Sequence, residues 1–139
     1  MAAGASYEPH EEYLQNLLRS RFCFAPRGDT ASAKRLYEAI AAGCIPIVVS
    51  DKLRLPFESQ VDWPAFSLRY KERDVADDPR RVLRDVQAMP TARIDAMRQR
   101  LLAVRHMFLW HTDPNRPSAV DYVLHEMCAW AKVVAPPAT

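Results

Sequence analysis

The chain has 139 residues, 49% of them hydrophobic and 26% charged, with 19 basic residues against 17 acidic ones for a net charge of +2. That length suits one compact domain with its own core, and the near-balanced charge points neither to nucleic acid nor to an anionic membrane surface. The first twenty residues carry Glu8, Glu11, Glu12 and Arg19, and no run of about 18 apolar residues occurs, so the chain as written shows neither a targeting segment nor a membrane span.

In chain order, residues 1–6 are small and polar, and residues 1–7 are expected to be disordered. Tyr13, Leu14, Leu17 and Leu18 recur at helical spacing and predict a one-sided helix over 8–20. The aromatic run 22–25, stopped by Pro26, predicts a buried strand. Residues 27–32 form a polar loop in which Ser32 is placed to cap the next helix, 33–42, which Gly43 ends. Ile45-Pro-Ile-Val-Val49 has no polar face and predicts a parallel strand, its proline at the start where a lost N–H is tolerated.

An irregular stretch with Trp63 and Pro64 leads to a third strand at 66–68. A helix is expected from Pro79 to Met89 with Asp78 as cap, and a long one from Pro90 to about Trp110. The last, Ser118 to Val134, should bury the stripe Val120, Val123, Leu124, Met127 and Trp130. Residues 135–139 read as a tail, leaving 8–134 as one domain. The order implies an α/β fold: a small Rossmann-like parallel sheet flanked by helices.

Cys23, Cys44 and Cys128 are odd in number, widely spaced and set in apolar segments, which predicts buried free thiols. The histidines lack partners at metal-ligand spacing. Trp63, Trp110 and Trp130 read as packing residues, with an acceptor-facing role for Trp63 left open.

The chemistry is concentrated in Phe22 to Asp51. A strand feeds a loop with Gly28 and several hydroxyls, and the loop feeds a helix N-terminus. In parallel α/β sheets ligands bind beyond the carboxyl ends of the strands, and free helix amides with a partial positive charge suit a phosphate. Arg27 adds a bidentate cation. Glu38 lies one turn from Lys34 and Arg35 and can share a face with one of them. The alternative is a plain turn, a cap and a wet helix face, and these residues alone do not decide between the two.

The whole segment resembles the exostosin family of glycosyltransferases, above all its plant and algal members, whose pattern is close to CPRGDT-x-S-x-R-x-x-E-A-I-x-x-G-C-I-P-V-I-x-S-D. Matching are Pro26, Arg27, Gly28, Asp29, Thr30, Ser32, Arg35, Glu38, Ala39, Ile40, Gly43, Cys44, Ile45, Pro46, Ser50 and Asp51, with Cys23 offset by position. The likeness continues through Leu55-Pro-Phe57, Trp63, Phe66-Ser67, Phe108-Leu-Trp-His111 and Leu124-His-Glu126.

That resemblance implies one half of a GT-B glycosyltransferase, the C-terminal half that holds a nucleotide sugar. It implies a UDP-sugar donor with Arg27, Gly28, Asp29, Thr30 and Ser32 around the diphosphate, Arg35 as a second contact or a brace, and Glu38 accepting from the ribose hydroxyls. No metal or other cofactor is expected. It further implies inverting transfer onto a glycan acceptor, with acceptor and general base held by an N-terminal domain outside this chain, and a Golgi location. A glutamate eight positions before Glu38, frequent in the wider fold, is replaced by Thr30. The other reading is a non-catalytic exostosin-like module that partners a complete transferase.

Overall fold

The computed structural model describes residues 10–134, so the expected disordered start and tail lie outside the described residues. The elements run α1 (His10–Arg19), β1 (Phe22–Pro26), α2 (Lys34–Ala42), β2 (Ile45–Val49), β3 (Leu68–Tyr70), α3 (Glu72–Asp77), α4 (Arg81–Gln87), α5 (Thr91–Val104) and α6 (Ala119–Val134), with short 3-10 turns at Trp63–Ala65 and Arg105–Phe108. The three strands form one parallel sheet in the order β1-β2-β3.

β2 is central and buried at every position, so its unbroken apolar run has a helix-covered environment on both faces. Val48 joins Ala25, Leu36, Ile40, Leu101 and Phe108 in one cluster. Ile45 meets Ile94 and Met97, and Ile47 and Val49 meet Val82. β1 is an edge strand, and only Cys23 and Ala25 on its α2 face are buried, while Phe24 is 49% exposed. The expected buried strand is thus buried on one face only, and on the other Phe24 lines a cleft with Tyr13, Asn16 and Leu17.

Gly43 ends α2 in the left-handed region at φ 71°, and its N–H returns to Ile40 O at 3.0 Å. A β-carbon there would sit 3.2 Å from Leu102 Cδ2, a side chain with room to shift, so it is the backbone conformation that asks for glycine. Other boundaries move. β3 starts at Leu68 because Phe66 and Ser67 close the 3-10 turn, with Ser67 N and Oγ both bonded to Trp63 O. α3 has no counterpart in the sequence reading. The helix expected to reach Trp110 stops at Val104 and tightens into the 3-10 turn, which sends Met107 and Phe108 inward. Asp78 lies outside α4, yet it accepts from Arg80 N at 3.2 Å and its carboxylate is bonded by Arg84, which holds it below the usual carboxylate range.

Two expectations are overturned. Cys23 and Cys44 form a disulfide, with Cα atoms 5.8 Å apart: the parallel register sets Cys23 against Pro46, and Cys44, just before β2, lies on the diagonal from it. Cys128 is free but exposed, not buried. The α6 stripe is not core either: Val120, Val123, Leu124, Met127 and Trp130 are all exposed, and the helix leans on the domain through Ala119, Tyr122 and Glu126 instead.

Candidate donor site at the strand ends

Because all three strands are parallel, Arg27, Ser50 with Asp51, and Glu72 leave the sheet from one edge. Arg27 prolongs the ladder, its N–H donating to Val49 O at 3.0 Å, and its guanidinium is turned toward Glu72 Oε2 at 3.6 Å. Gly28, Asp29 and Thr30 are exposed. A β-carbon on Gly28 would meet only Ser32 O, at 3.9 Å, so the unliganded fold does not itself demand glycine there. The Thr30 hydroxyl donates to Ser32 O at 2.8 Å and braces the loop from within. Ser50, buried to 1% exposure, ties the loop to β2 by donating to Ala31 O at 3.1 Å.

Ser32 does not cap α2. The cap position falls to Ala33, which has no side-chain oxygen, so no side chain closes the helix N-terminus. The start of the helix faces the loop with its positive end uncompensated, an arrangement that suits an anion.

Glu38 belongs to a second cluster, against α1. Its Oε1 takes an ion pair from Lys34 Nζ at 2.8 Å, and its Oε2 accepts from the Tyr13 hydroxyl at 2.6 Å. The Lys34 hydrogen bond first, and that of Tyr13 second, hold its carboxyl below the ordinary glutamate range against the opposing effect of burial. Lys34, not Arg35, is therefore the cation that shares its face. Arg35 is exposed and lines a 280 Å³ cleft with Tyr13, Asn16, Leu17 and Phe24. Glu38 keeps 20% of its side chain exposed, and each carboxylate oxygen has a further lone pair. Arg27 and Glu38 are not paired with one another, and neither is sealed in.

The loop lines neither the 750 Å³ cavity formed by Leu55, Gln60, Asp62, Trp63, Arg69 and Arg93 among others nor a 370 Å³ apolar groove between Phe57, Phe108, Trp110 and Val123. The loop at the strand edge is polar and, from Arg27 to Thr30 and at Ser32, exposed to solvent. Trp63 is 4% exposed, donates Nε1–H to Pro56 O at 2.8 Å and packs on Phe66 and Phe108, so its ring is chiefly a packing residue at the wall of the 750 Å³ cavity. Trp110 and Trp130, expected to pack, are 79% and 51% exposed, and Arg54 lies over the Trp130 ring.

His106 Nε2 is 2.9 Å from the Tyr122 hydroxyl and His111 Nε2 2.9 Å from Pro117 O. Among the described residues no three His, Cys, Asp or Glu side chains converge as metal ligands, and no helix is long and apolar enough to cross a membrane.

Sequence reasoning missed two members of these clusters. Tyr13 was legible only as an apolar helix position. Glu72 follows a strand whose end was misplaced, and nothing in the chain order announces that it returns to Arg27.

A small parallel sheet flanked by helices, with a basic, hydroxyl-bearing loop at its carboxyl edge, is a Rossmann-like α/β unit. Residues 2–86 match the Exostosin GT47 domain, and the chain belongs to that family of glycosyltransferases. It is 36% identical over 103 residues to the probable arabinosyltransferase ARAD1 of Arabidopsis thaliana, covering 74% of this chain and 23% of that protein. It is 46% identical over 63 residues to the probable glucuronoxylan glucuronosyltransferase IRX7 of the same plant (45% and 14%). Exostosin-1 of Drosophila melanogaster is 40% identical over 90 residues (65% and 11%). The chain spans less than a quarter of the length of these curated relatives.

Proposed function

We propose that this domain is the donor-binding half of an exostosin-family glycosyltransferase of GT-B architecture, holding a UDP-sugar for transfer onto a glycan. The observation that carries the reading is the exposed loop Arg27 to Ser32 at the carboxyl edge of a parallel sheet, feeding a helix start that no side chain caps. In this reading the diphosphate lies against the α2 amides with Arg27 and Arg35 balancing its charge, and no metal is called for. Gly28 lets the backbone approach the ligand closely, which accounts for a glycine that the unliganded fold does not require.

Glu38, kept ionised by Lys34 and Tyr13, accepts from the vicinal ribose hydroxyls. In the same reading Asp29 is the exposed carboxylate of the donor loop. The acceptor and the general base that deprotonates it come from outside residues 10–134. The Cys23–Cys44 disulfide suits an oxidising lumen, in keeping with a Golgi location.

With the strand edge open on one side, desolvation and preorganisation are incomplete, and UDP should bind with a Kd near about 1 mM, roughly −4 kcal/mol. Titration with UDP and with uridine tests the assignment. Glu38→Ala should abolish measurable binding of both, whereas Arg27→Ala should weaken UDP and leave uridine unchanged. Equal UDP affinity in parent and both variants would place the nucleotide elsewhere.

A further inference from the structure

We propose that Glu72 competes with the donor for the loop cation: it pairs with the Arg27 guanidinium in the free domain and yields it to the diphosphate when the nucleotide binds. The inference rests on the donor reading above and goes beyond it by giving the loop cation a resident competitor. The three residues involved come from the ends of three different strands.

Glu72 is fixed at two points by Asp51. The Asp51 N–H donates to Glu72 Oε1 at 3.1 Å, and Asp51 Oδ1 accepts from Glu72 N at 3.2 Å. That reciprocal pair ties the end of β2 to the start of α3 and leaves Glu72 Oε2 facing Arg27 Nη1. The two partners are unequal. The carboxylate is anchored through backbone, while the guanidinium stands 3.6 Å away on a side chain that is 46% exposed. At that distance the contact is an ion pair without a tight hydrogen bond, so Arg27 is oriented but not locked. A diphosphate offers more negative charge and two acceptor oxygens to the guanidinium fork, and draws it from a single carboxylate oxygen. The competition lowers affinity and favours release of the nucleotide.

Glu72→Gln removes the charge but keeps a carbonyl oxygen for the Asp51 N–H, so the lacing survives. The expected result is a roughly two- to fivefold lower Kd for UDP, the scale of an exposed ion pair, with uridine affinity unchanged. In an Arg27→Ala background the same substitution should no longer alter UDP affinity. An unchanged or weaker UDP affinity for Glu72→Gln overturns the proposal, and so does an equal gain in the Arg27→Ala background, which would mean direct repulsion.

A second reading needs no variant: in an NMR titration of the parent chain with UDP, the Arg27 side-chain Nε–H and the Asp51 and Glu72 amides should shift together. Movement of Arg27 with Asp51 and Glu72 silent contradicts the exchange. Failure of the donor reading itself looks different, since Arg27→Ala alone would then leave the UDP-to-uridine ratio unaltered.

Discussion

The Tyr13 hydroxyl on α1 donates to Glu38 Oε2 on α2 across 2.6 Å, joining the helices that precede and follow β1 in the chain through the carboxylate proposed to meet the ribose. Glu38 is ionised in the folded chain more readily than an ordinary glutamate, with Lys34 the first cause and Tyr13 the second. A depressed folded pKa adds stability above the unfolded value and loses it as pH falls through the folded one. Tyr13→Phe should therefore cost about 1 kcal/mol at neutral pH, as for a partly exposed hydrogen bond to a charged group. Parent and variant should converge below the carboxylate range. Urea unfolding at the two pH values measures this, and a penalty that persists unchanged in acid would assign the effect to packing.

The Cys23–Cys44 bridge spans 21 residues of sequence and clips β1 to the residue before β2. Closing a loop of that length in the unfolded chain is worth about 3 kcal/mol. The Cys23→Ala, Cys44→Ala double variant should unfold at a correspondingly lower urea concentration. In the parent, alkylation without reductant should label Cys128 alone among the described cysteines. Coincident urea curves for parent and double variant would contradict the clip.

On α6 the wide apolar arc is not the face that holds the helix. Leu124 is 54% exposed, so Leu124→Glu should change stability by under about 0.5 kcal/mol. Tyr122 packs edge-on against Phe57 and lies 2.9 Å from His106 Nε2. Tyr122→Ala should cost about 2 kcal/mol, below the value for a fully buried aromatic. Thermal unfolding of the two variants decides, and the reverse order of effects would show that the arc is covered.

These results mark what could be read from residue order. β1, α2 and β2 were legible because an aromatic run, a 3.6-residue stripe ending at Gly43 and an all-apolar β-branched run each have a short-range cause. β3 slipped by two residues because Phe66 is buried by Trp63 in a turn, and burial without pairing looks the same in sequence. The disulfide was illegible because positions 23 and 44 approach only once β1 lies against β2, where Cys44 is diagonal to Cys23.

The α6 stripe predicted an amphipathic helix correctly, but a stripe does not say whether its cover lies in the same chain. At the site, Arg27 and Glu38 were singled out through the strand–loop–helix pattern and the family resemblance. Their partners Glu72 and Tyr13 were not, since both arrive from elements whose packing the pattern does not encode.

The location of the nucleotide is tested most directly by mapping backbone amide shifts of the 139-residue chain during a UDP titration. Binding at the strand edge predicts that the largest changes fall on Arg27 to Ser32, on Lys34 and Arg35 at the start of α2, and on Glu38, with uridine moving Glu38 but sparing Gly28 and Thr30. Changes centred instead on Gln60, Asp62, Arg69 and Arg93, around the 750 Å³ cavity, with the loop unmoved, would contradict it.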